Sequence, residues 1–384
     1  MFIGINGYEA VVPRFGFDKN NLPVRVGSGE VAFWWLKYLS KIDMNNSYTI
    51  YLPTEPTPDM PKESSNWKYK IIRSKRLWTI LGLTRVLRGE KLDVFFSPTH
   101  YAPLFVKFPQ VITILDVSYK RYPKLFTKLD LLRFETWGKY SIKIASKIIT
   151  ISNSSKDDII KEYGIPEAKV EVVYPGIKQV SSSKYEVLSM KQLKQKYGID
   201  SPFILFVGTL QPRKNVKRLI EAFSNLVSSM NDLKLVIVGR KGWQYRDILE
   251  APKKFNIEDK VKFIETVTDE ELPSFYKNAE VFVLPSLYEG FGLPILESMR
   301  YGCPVVTSNV SSLPEAGGDA ALYVDPNNVA DIAEKLEKVL TDDKLRDKMI
   351  EKGNEQYKKF TWEKSAKKVL QVLEETAGPV SSIK

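Results

Sequence analysis

The chain has 384 residues, 43% hydrophobic and 27% charged, the make-up of a folded globular protein whose length fits two domains. A single cysteine (Cys303) and a single histidine (His100) exclude an internal disulfide, a cysteine-built zinc site and any mechanism that needs several histidines. The net charge of +11 is uneven: residues 1–178 hold 27 Lys and Arg against 17 Asp and Glu, whereas residues 179–384 hold 30 against 29. A basic first half points to an anionic partner: nucleic acid, an anionic membrane surface or a phosphorylated acceptor.

In chain order, Phe2–Asn6 reads as a short buried strand, not as a leader with a basic start and a long apolar core. A polar, Gly- and Pro-containing stretch leads to helical spacing over Glu30–Leu39. Val94–Phe96, Val111–Ile114, Ile148–Ile151 and Val170–Val173 read as buried parallel strands, separated by amphipathic helical stretches such as Leu129–Ile144. The alternation lapses at Pro175-Gly176 and Ser181-Ser182-Ser183, which places an interdomain linker near 176–184. A second α/β series has strands at Phe203–Val207, Leu233–Val238, Val261–Ile264 and Val281–Leu284. A capping box at Thr268–Glu271 opens the helix before the last of these. Helices follow from Val329 and Lys344. A last one, from about Glu363, is expected to pack back on the first domain. The division expected is 1–178, with about 363–384 added, and 185–362. No apolar run reaches the roughly 18 residues of a membrane span, and the cysteine usage suggests a cytoplasmic protein.

The segment Pro285–Glu297 carries the most chemistry. An apolar strand ends at Leu284, a glycine-containing loop follows, and Pro294 suits the first turn of a helix. The free amides and positive dipole end of such a helix form a seat for an anion, well suited to a diphosphate. Glu289 in the loop and Glu297 one turn inside the helix would repel a phosphate unless they served its neighbours. Carboxylates suit vicinal diols, and a nucleotide sugar has a polyol on each side of its diphosphate. The second segment, Phe203–Asn215, is again strand, loop and helix start. Gly208 and Thr209 are followed by Arg213 and Lys214, two cations where helix-dipole logic alone prefers anions; an anionic ligand resolves that conflict.

The order Gly208-Thr-Leu-x-Pro-Arg-Lys-Asn215, Val238-Gly-Arg-Lys-Gly-Trp243, Val267-Thr-Asp-Glu-Glu-Leu272 and Glu289-x7-Glu297 resembles family 4 of the retaining glycosyltransferases. The first half matches more loosely, through Arg25–Gly29, Pro98–Tyr101 and Ile148–Ser154. The resemblance implies a GT-B fold: two Rossmann-like parallel-sheet domains facing each other across a cleft. It implies metal-independent transfer of a hexosyl group, without a cofactor, from a nucleotide-diphosphate sugar to a saccharide or lipid-linked acceptor. By position, Glu289 would touch the transferred sugar and Glu297 the ribose. Gly290, Phe291, Gly292 and Leu293 would offer backbone amides, and Arg213 and Lys214 would neutralise the departing diphosphate. Val267 would lie near the base, and Gly27, Ser28 and Gly29 would approach the donor from the first domain. The Gly-Thr-Leu-x-Pro-Arg-Lys-Asn variant is most similar to mannosyltransferases of surface-polysaccharide assembly, which favours GDP-mannose, with UDP-sugars next.

Two positions depart from that family's pattern. Thr209 stands where many relatives have Arg, and Leu115 where many have a His before Asp116. Asp116 is kept as a catalytic candidate, and His100, in the loop after Val94–Phe96, is a candidate on the acceptor side. A nicotinamide-binding reading of Gly27-Ser-Gly-x-x-Ala32 fails because twenty residues separate Asn6 from Gly27. A glycosidase needs a carboxyl with raised pKa, which neighbouring cations oppose. The non-enzymatic alternative is a binder of an anionic membrane surface or nucleic acid. Between Lys68 and Lys147 there are 17 Lys and Arg against 5 Asp and Glu. Aromatics interleave with these cations at Lys120–Lys128, which suits lipid headgroups better than bases, so nucleic acid is not the expected partner.

Overall fold

A computed structural model describes residues 1–13, 16–18, 21–74, 77–178 and 187–378. The chain forms two compact units, Met1–Gly176 together with the segment from Thr361 onwards, and Ile177–Phe360. Residues 179–184 of the expected linker and 379–384 of the expected last helix lie outside the described residues.

The first unit holds a seven-stranded sheet in the order β3-β2-β1-β4-β5-β6-β7. The strands are β1 (Phe2–Asn6), β2 (Ser47–Leu52), β3 (Trp67–Ile71), β4 (Val94–Ser97), β5 (Gln110–Thr113), β6 (Lys147–Thr150) and β7 (Val170–Val172). All pair in parallel. The wholly buried β4 and β5 are the double-sided, near-continuous apolar runs that parallel sheets require. β2 and β3 were not among the expected strands. Trp67–Ile71 exposes Lys68 and Lys70 as an edge strand, and charged side chains there blunt an otherwise open edge.

The helix Ser28–Ile42 starts two residues before its apolar stripe and buries Trp35, Leu36 and Leu39. It packs on the C-terminal helix Trp362–Ala377. Trp34 stacks on Trp362 at 6.0 Å, and the Trp35 indole donates to Ser365 Oγ at 2.8 Å. Gly176 admits no side chain, since a Cβ there would lie 2.1 Å from the Trp362 nitrogen. The expected helix 129–144 runs from Lys128 to Ile144 with a π-helical turn, Phe134–Gly138, in its middle.

The second unit has a six-stranded parallel sheet, β10-β9-β8-β11-β12-β13. These are β8 (Phe203–Val207), β9 (Lys234–Val238), β10 (Val261–Ile264), β11 (Val281–Leu284), β12 (Val305–Ser308) and β13 (Ala321–Val324). The capping-box expectation at Thr268 does not hold. The helix begins at Leu272 with Pro273 in its first turn and without a side-chain cap. Pro is favoured at that position, so residues 268–271 form a separate turn (Glu271 N to Thr268 O, 3.1 Å). The Glu271 carboxylate accepts from Thr268 Oγ1 at 3.3 Å, from the Tyr197 hydroxyl at 2.8 Å and from Lys196, without capping the helix. A reciprocal cap does form at Ser189–Gln192, before Met190–Tyr197. In each sheet the strand order reverses once, between β1 and β4 and between β8 and β11. Open α/β sheets bind ligands at such points, outside the carboxyl ends of the strands.

Candidate functional site

In the second unit the loops after β8 and β11 emerge side by side at the reversal. Close backbone contact fixes the first. Gly208 N donates to Val238 O at 2.9 Å, and a Cβ on Gly239 would sit 1.9 Å from the Gly208 oxygen. The second loop ends at Gly292, whose φ of +110° and tight space (a Cβ would lie 2.9 Å from Leu313 Cδ2) both call for glycine. Helix Leu293–Arg300 follows, with Pro294 in its first turn and no side-chain cap. This is the helix start that the sequence reading takes as an anion seat.

Between the loops lies a buried ion cluster. Glu289 is only 7% exposed. One carboxylate oxygen accepts from Lys214 Nζ at 2.6 Å and Ser286 Oγ at 2.7 Å, and the other from Arg213 Nη1 at 3.1 Å. Arg213 also donates to the Tyr288 carbonyl at 2.5 Å. Leu287 N donates to Arg213 O at 2.8 Å, tying the two loops together. Asn215, at φ +60° ahead of helix Val216–Val227, donates to the carbonyls of Pro285 (3.0 Å) and Pro326 (2.6 Å). The backbone of Glu289 is held by Ser311 Oγ, which accepts from its N–H at 3.0 Å, and by Ser312 Oγ, which donates to its carbonyl at 2.8 Å. Glu289, Arg213 and Lys214 are therefore one unit rather than separate contacts. Ser286, Ser311, Ser312 and Asn215 were not singled out from the sequence. Of these, only Asn215, directly after the cation pair, carried a local signal.

Burial by itself raises the Glu289 carboxyl pKa, but Lys214 and Arg213 outweigh it and lower the value from 4.5 to about 2. The group is ionised at neutral pH, which suits a hydroxyl acceptor and opposes a general-acid role. A depressed carboxyl pKa gives stability that is complete above pH 4.5 and is lost as pH falls from there towards 2. Denaturant titrations of the wild type and Glu289→Gln should therefore differ most at neutral pH and converge over that window. A gap that stays constant down to pH 2 contradicts the assignment.

Glu297, on the Leu293–Arg300 helix, accepts from the buried Tyr276 hydroxyl at 3.0 Å. Val267 lies half-buried in the loop after β10. Thr209 packs where a Cβ on Gly242 would come within 2.9 Å of its Cγ2.

The first unit places the remaining candidates at the carboxyl ends of β1, β4 and β5. Gly27 (φ +56°) precedes the helix that Ser28 begins. Ser28 Oγ donates to Glu9 at 3.0 Å, and a Cβ on Gly29 would be 2.9 Å from the Glu9 carbonyl. Arg25 braces this loop. It donates to Ala10 O at 2.6 Å and to both Asp59 oxygens at 2.5 and 3.0 Å, and it lies over the Phe33 ring at 3.9 Å. Asp116 Oδ1 accepts from Ser118 N at 2.8 Å, capping the turn that follows. His100 packs on Phe134 at 5.4 Å between ring centroids and shares a backbone hydrogen bond with Asp116.

Two Rossmann-like domains of parallel sheet, the second with a glycine-led helix start beside a buried carboxylate and two cations, define a GT-B fold. The family model for glycosyl transferases group 1 matches residues 189–356, and that for glycosyltransferase family 4 matches residues 48–179. The chain is 34% identical over 282 residues to the O-antigen chain mannosyltransferase B of Escherichia coli, covering 72% of this chain and 73% of that one. It belongs to glycosyltransferase family 4 and is a glycosyltransferase. The serotype-specific mannosyltransferase WbdA of Escherichia coli is 31% identical over 251 residues, 62% of this chain but only 31% of that longer protein. Anabaena HepE, solved in complex with UDP-glucose, has the same fold at a TM-score of 0.70 and 16% identity, covering 97% of this chain and 99% of that one.

Proposed function

We propose that the chain transfers a mannosyl group from GDP-mannose, with retention and without metal or cofactor, to a saccharide or lipid-linked acceptor in the assembly of a surface polysaccharide. The observation that carries this reading is the Glu289–Lys214–Arg213 cluster beside the uncapped start of helix Leu293–Arg300. The donor diphosphate sits at that helix start, against the amides of Gly290, Phe291, Gly292 and Leu293. Arg213 and Lys214 bring two positive charges beside that seat. Those charges meet the charge that grows on the diphosphate as the sugar departs, where electrostatic stabilisation is worth most. Glu289 accepts from sugar hydroxyls, Glu297 from the ribose, and Val267 lies against the base. The sugar C1–phosphate bond breaks and a bond to the acceptor oxygen forms on the same face. The acceptor hydroxyl's proton goes to the leaving diphosphate. The mannosyltransferase relatives support the choice of sugar.

The protein acts in the cytoplasm at an anionic membrane surface. Nine of the ten exposed large hydrophobic side chains among the described residues lie in the basic first unit, Phe105, Leu129 and Leu132 among them. No helix among the described residues is long and apolar enough to cross a membrane, so contact is made from the surface. The comparisons lend no support to a non-enzymatic binder.

The test is incubation with GDP-mannose and a mannoside acceptor in EDTA, with the product's anomeric configuration read by NMR. An α-linked product formed at an undiminished rate is expected. A β-linked product overturns retention, and loss of turnover in EDTA overturns metal independence.

A further inference from the structure

The second unit holds an open cavity of about 740 Å³ that none of the residues assigned to the donor lines. Small-molecule sites run to about 300–1,000 Å³, so there is room for a ligand of more than one ring. The cavity lies where two helices begin, Val216–Val227 after β8 and Arg246–Lys254 after β9. Its floor is apolar, made by the buried Val216 and Ile248 and the half-buried Leu287. Its rim carries both signs of charge: Lys217, Arg218 and Arg246 against Glu221 and Asp247. Lys217 lies 3.7 Å from Asp247, and Arg218 donates to Asn215 Oδ1 at 2.9 Å. Both stand one turn before Glu221, at the usual pairing distance on a helix, yet among the described residues no ion pair holds that carboxylate. The half-buried Tyr245 and the Gln244 amide complete the rim. Gln244 keeps a φ of +53°, a strained conformation of the kind that gathers at ligand-contacting loops.

This mixture selects a ligand class. A phosphorylated ligand would meet Glu221 and Asp247, and an ammonium ligand would meet three cations, so each would face charges of its own sign. A polyol uses both signs, because every hydroxyl can donate to a carboxylate and accept from a guanidinium or ammonium group. A pyranose also has C–H faces, which match the Tyr245 ring and the apolar floor. The walls therefore fit a neutral saccharide.

The cavity is built on the same loops as the ion cluster. Pro212 and Asn215 bracket Arg213 and Lys214, and Leu287 stands two residues before Glu289. Leu287 N donates to Arg213 O at 2.8 Å, and Asn215 donates to Pro285 O at 3.0 Å. A saccharide seated here adjoins the reacting loops without entering the donor seat. We propose that this cavity binds the non-reacting sugars of a neutral oligosaccharide acceptor, so that the enzyme extends a chain of several sugars in preference to a single one. The proposal rests on the glycosyltransferase reading above.

The test compares methyl α-mannoside with α-1,2- and α-1,3-linked mannotriose as acceptors for the wild type, Tyr245→Ala and Glu221→Ala. For the wild type, kcat/KM should be at least tenfold higher with one of the trioses than with methyl α-mannoside. Each variant should lose most of that advantage while its kcat/KM with methyl α-mannoside and its KM for GDP-mannose stay unchanged. Calorimetric titration of that triose into GDP-saturated protein reads the same site without turnover, and each variant should bind at least tenfold more weakly. Equal use of one and three sugars by the wild type, a variant that keeps the advantage, or one that loses both acceptors alike overturns the proposal and leaves the glycosyltransferase reading standing. Displacement of the triose by inorganic phosphate also overturns it, in favour of an anion site. Ala is the best helix former, so Glu221→Ala decides alone if Tyr245→Ala fails to fold. If GDP does not bind the wild type and no sugar is transferred, the functional reading falls first and this proposal with it.

Discussion

Glu289→Gln is expected to lower kcat by about 100- to 1000-fold, the scale on which one preorganised polar contact to the reacting region acts, and to cost about 3 kcal/mol of stability. Both effects have one origin. The carboxylate accepts from Lys214 at 2.6 Å, Arg213 at 3.1 Å and Ser286 at 2.7 Å in a site that is 7% exposed. Gln keeps the shape and the bond from Ser286 but removes the charge. Two cations are then left partly buried without their counter-ion, and breaking a buried pair by removing one partner typically costs about 3–5 kcal/mol. A stability loss is therefore expected even though the substitution is close to isosteric. Steady-state transfer assays and denaturant melts on the same samples check the two halves. A variant that keeps wild-type turnover would remove Glu289 from the reaction, whatever its stability. One that loses turnover but not stability would break the link drawn here between the ion cluster and the site.

Lys214→Met is expected to weaken nucleoside-diphosphate binding by about 10- to 100-fold, the worth of one charge-assisted hydrogen bond to phosphate of about 1.5–3 kcal/mol. Met keeps the length and the apolar stem, which packs within 3.6 Å of the Cβ position of Gly208, so the loop after β8 should hold its place. Arg213 remains paired with Glu289, and the variant should stay folded. Because the lysine meets charge that grows as the sugar leaves, kcat should fall in addition to the loss of affinity. A change in KM alone would mean that Lys214 binds the donor without assisting the departure.

Much of the two sheets was legible in the sequence as short apolar runs, although Val305–Ser308, buried throughout, and Ala321–Val324 were not among the expected strands. Val94–Phe96, Phe203–Val207, Val261–Ile264 and Val281–Leu284 stand as strands within a residue of expectation. Ser47–Leu52 and Trp67–Ile71 were not legible. The first opens on polar residues (Ser47, Thr49) and the second alternates apolar residues with exposed lysines as the sheet's edge; pairing with β1 and β2 makes them sheet. Thr268–Glu271 misled because a reciprocal capping pattern describes side chains alone, whereas Pro273 sets the helix start.

The strand end, glycine loop and proline-led helix start on which the anion-seat reading rests were readable from glycine, proline and strand ends. The direct pairing of Glu289 with both cations was not, since it joins loops 75 residues apart. Nor was the meeting of His100 with Asp116, which depends on β4 and β5 lying side by side. The basic surplus of residues 1–178 now has a companion observation, because nine of the ten exposed large apolar side chains among the described residues share that unit.

The most direct test of the central claim, that the loops after β8 and β11 seat a nucleoside diphosphate, is a calorimetric titration of GDP, UDP and ADP into the wild type and into Lys214→Met. At least one nucleotide, GDP foremost, should bind the wild type and bind Lys214→Met at least tenfold more weakly. No binding by any of the three, or equal affinity for both proteins, would contradict the account.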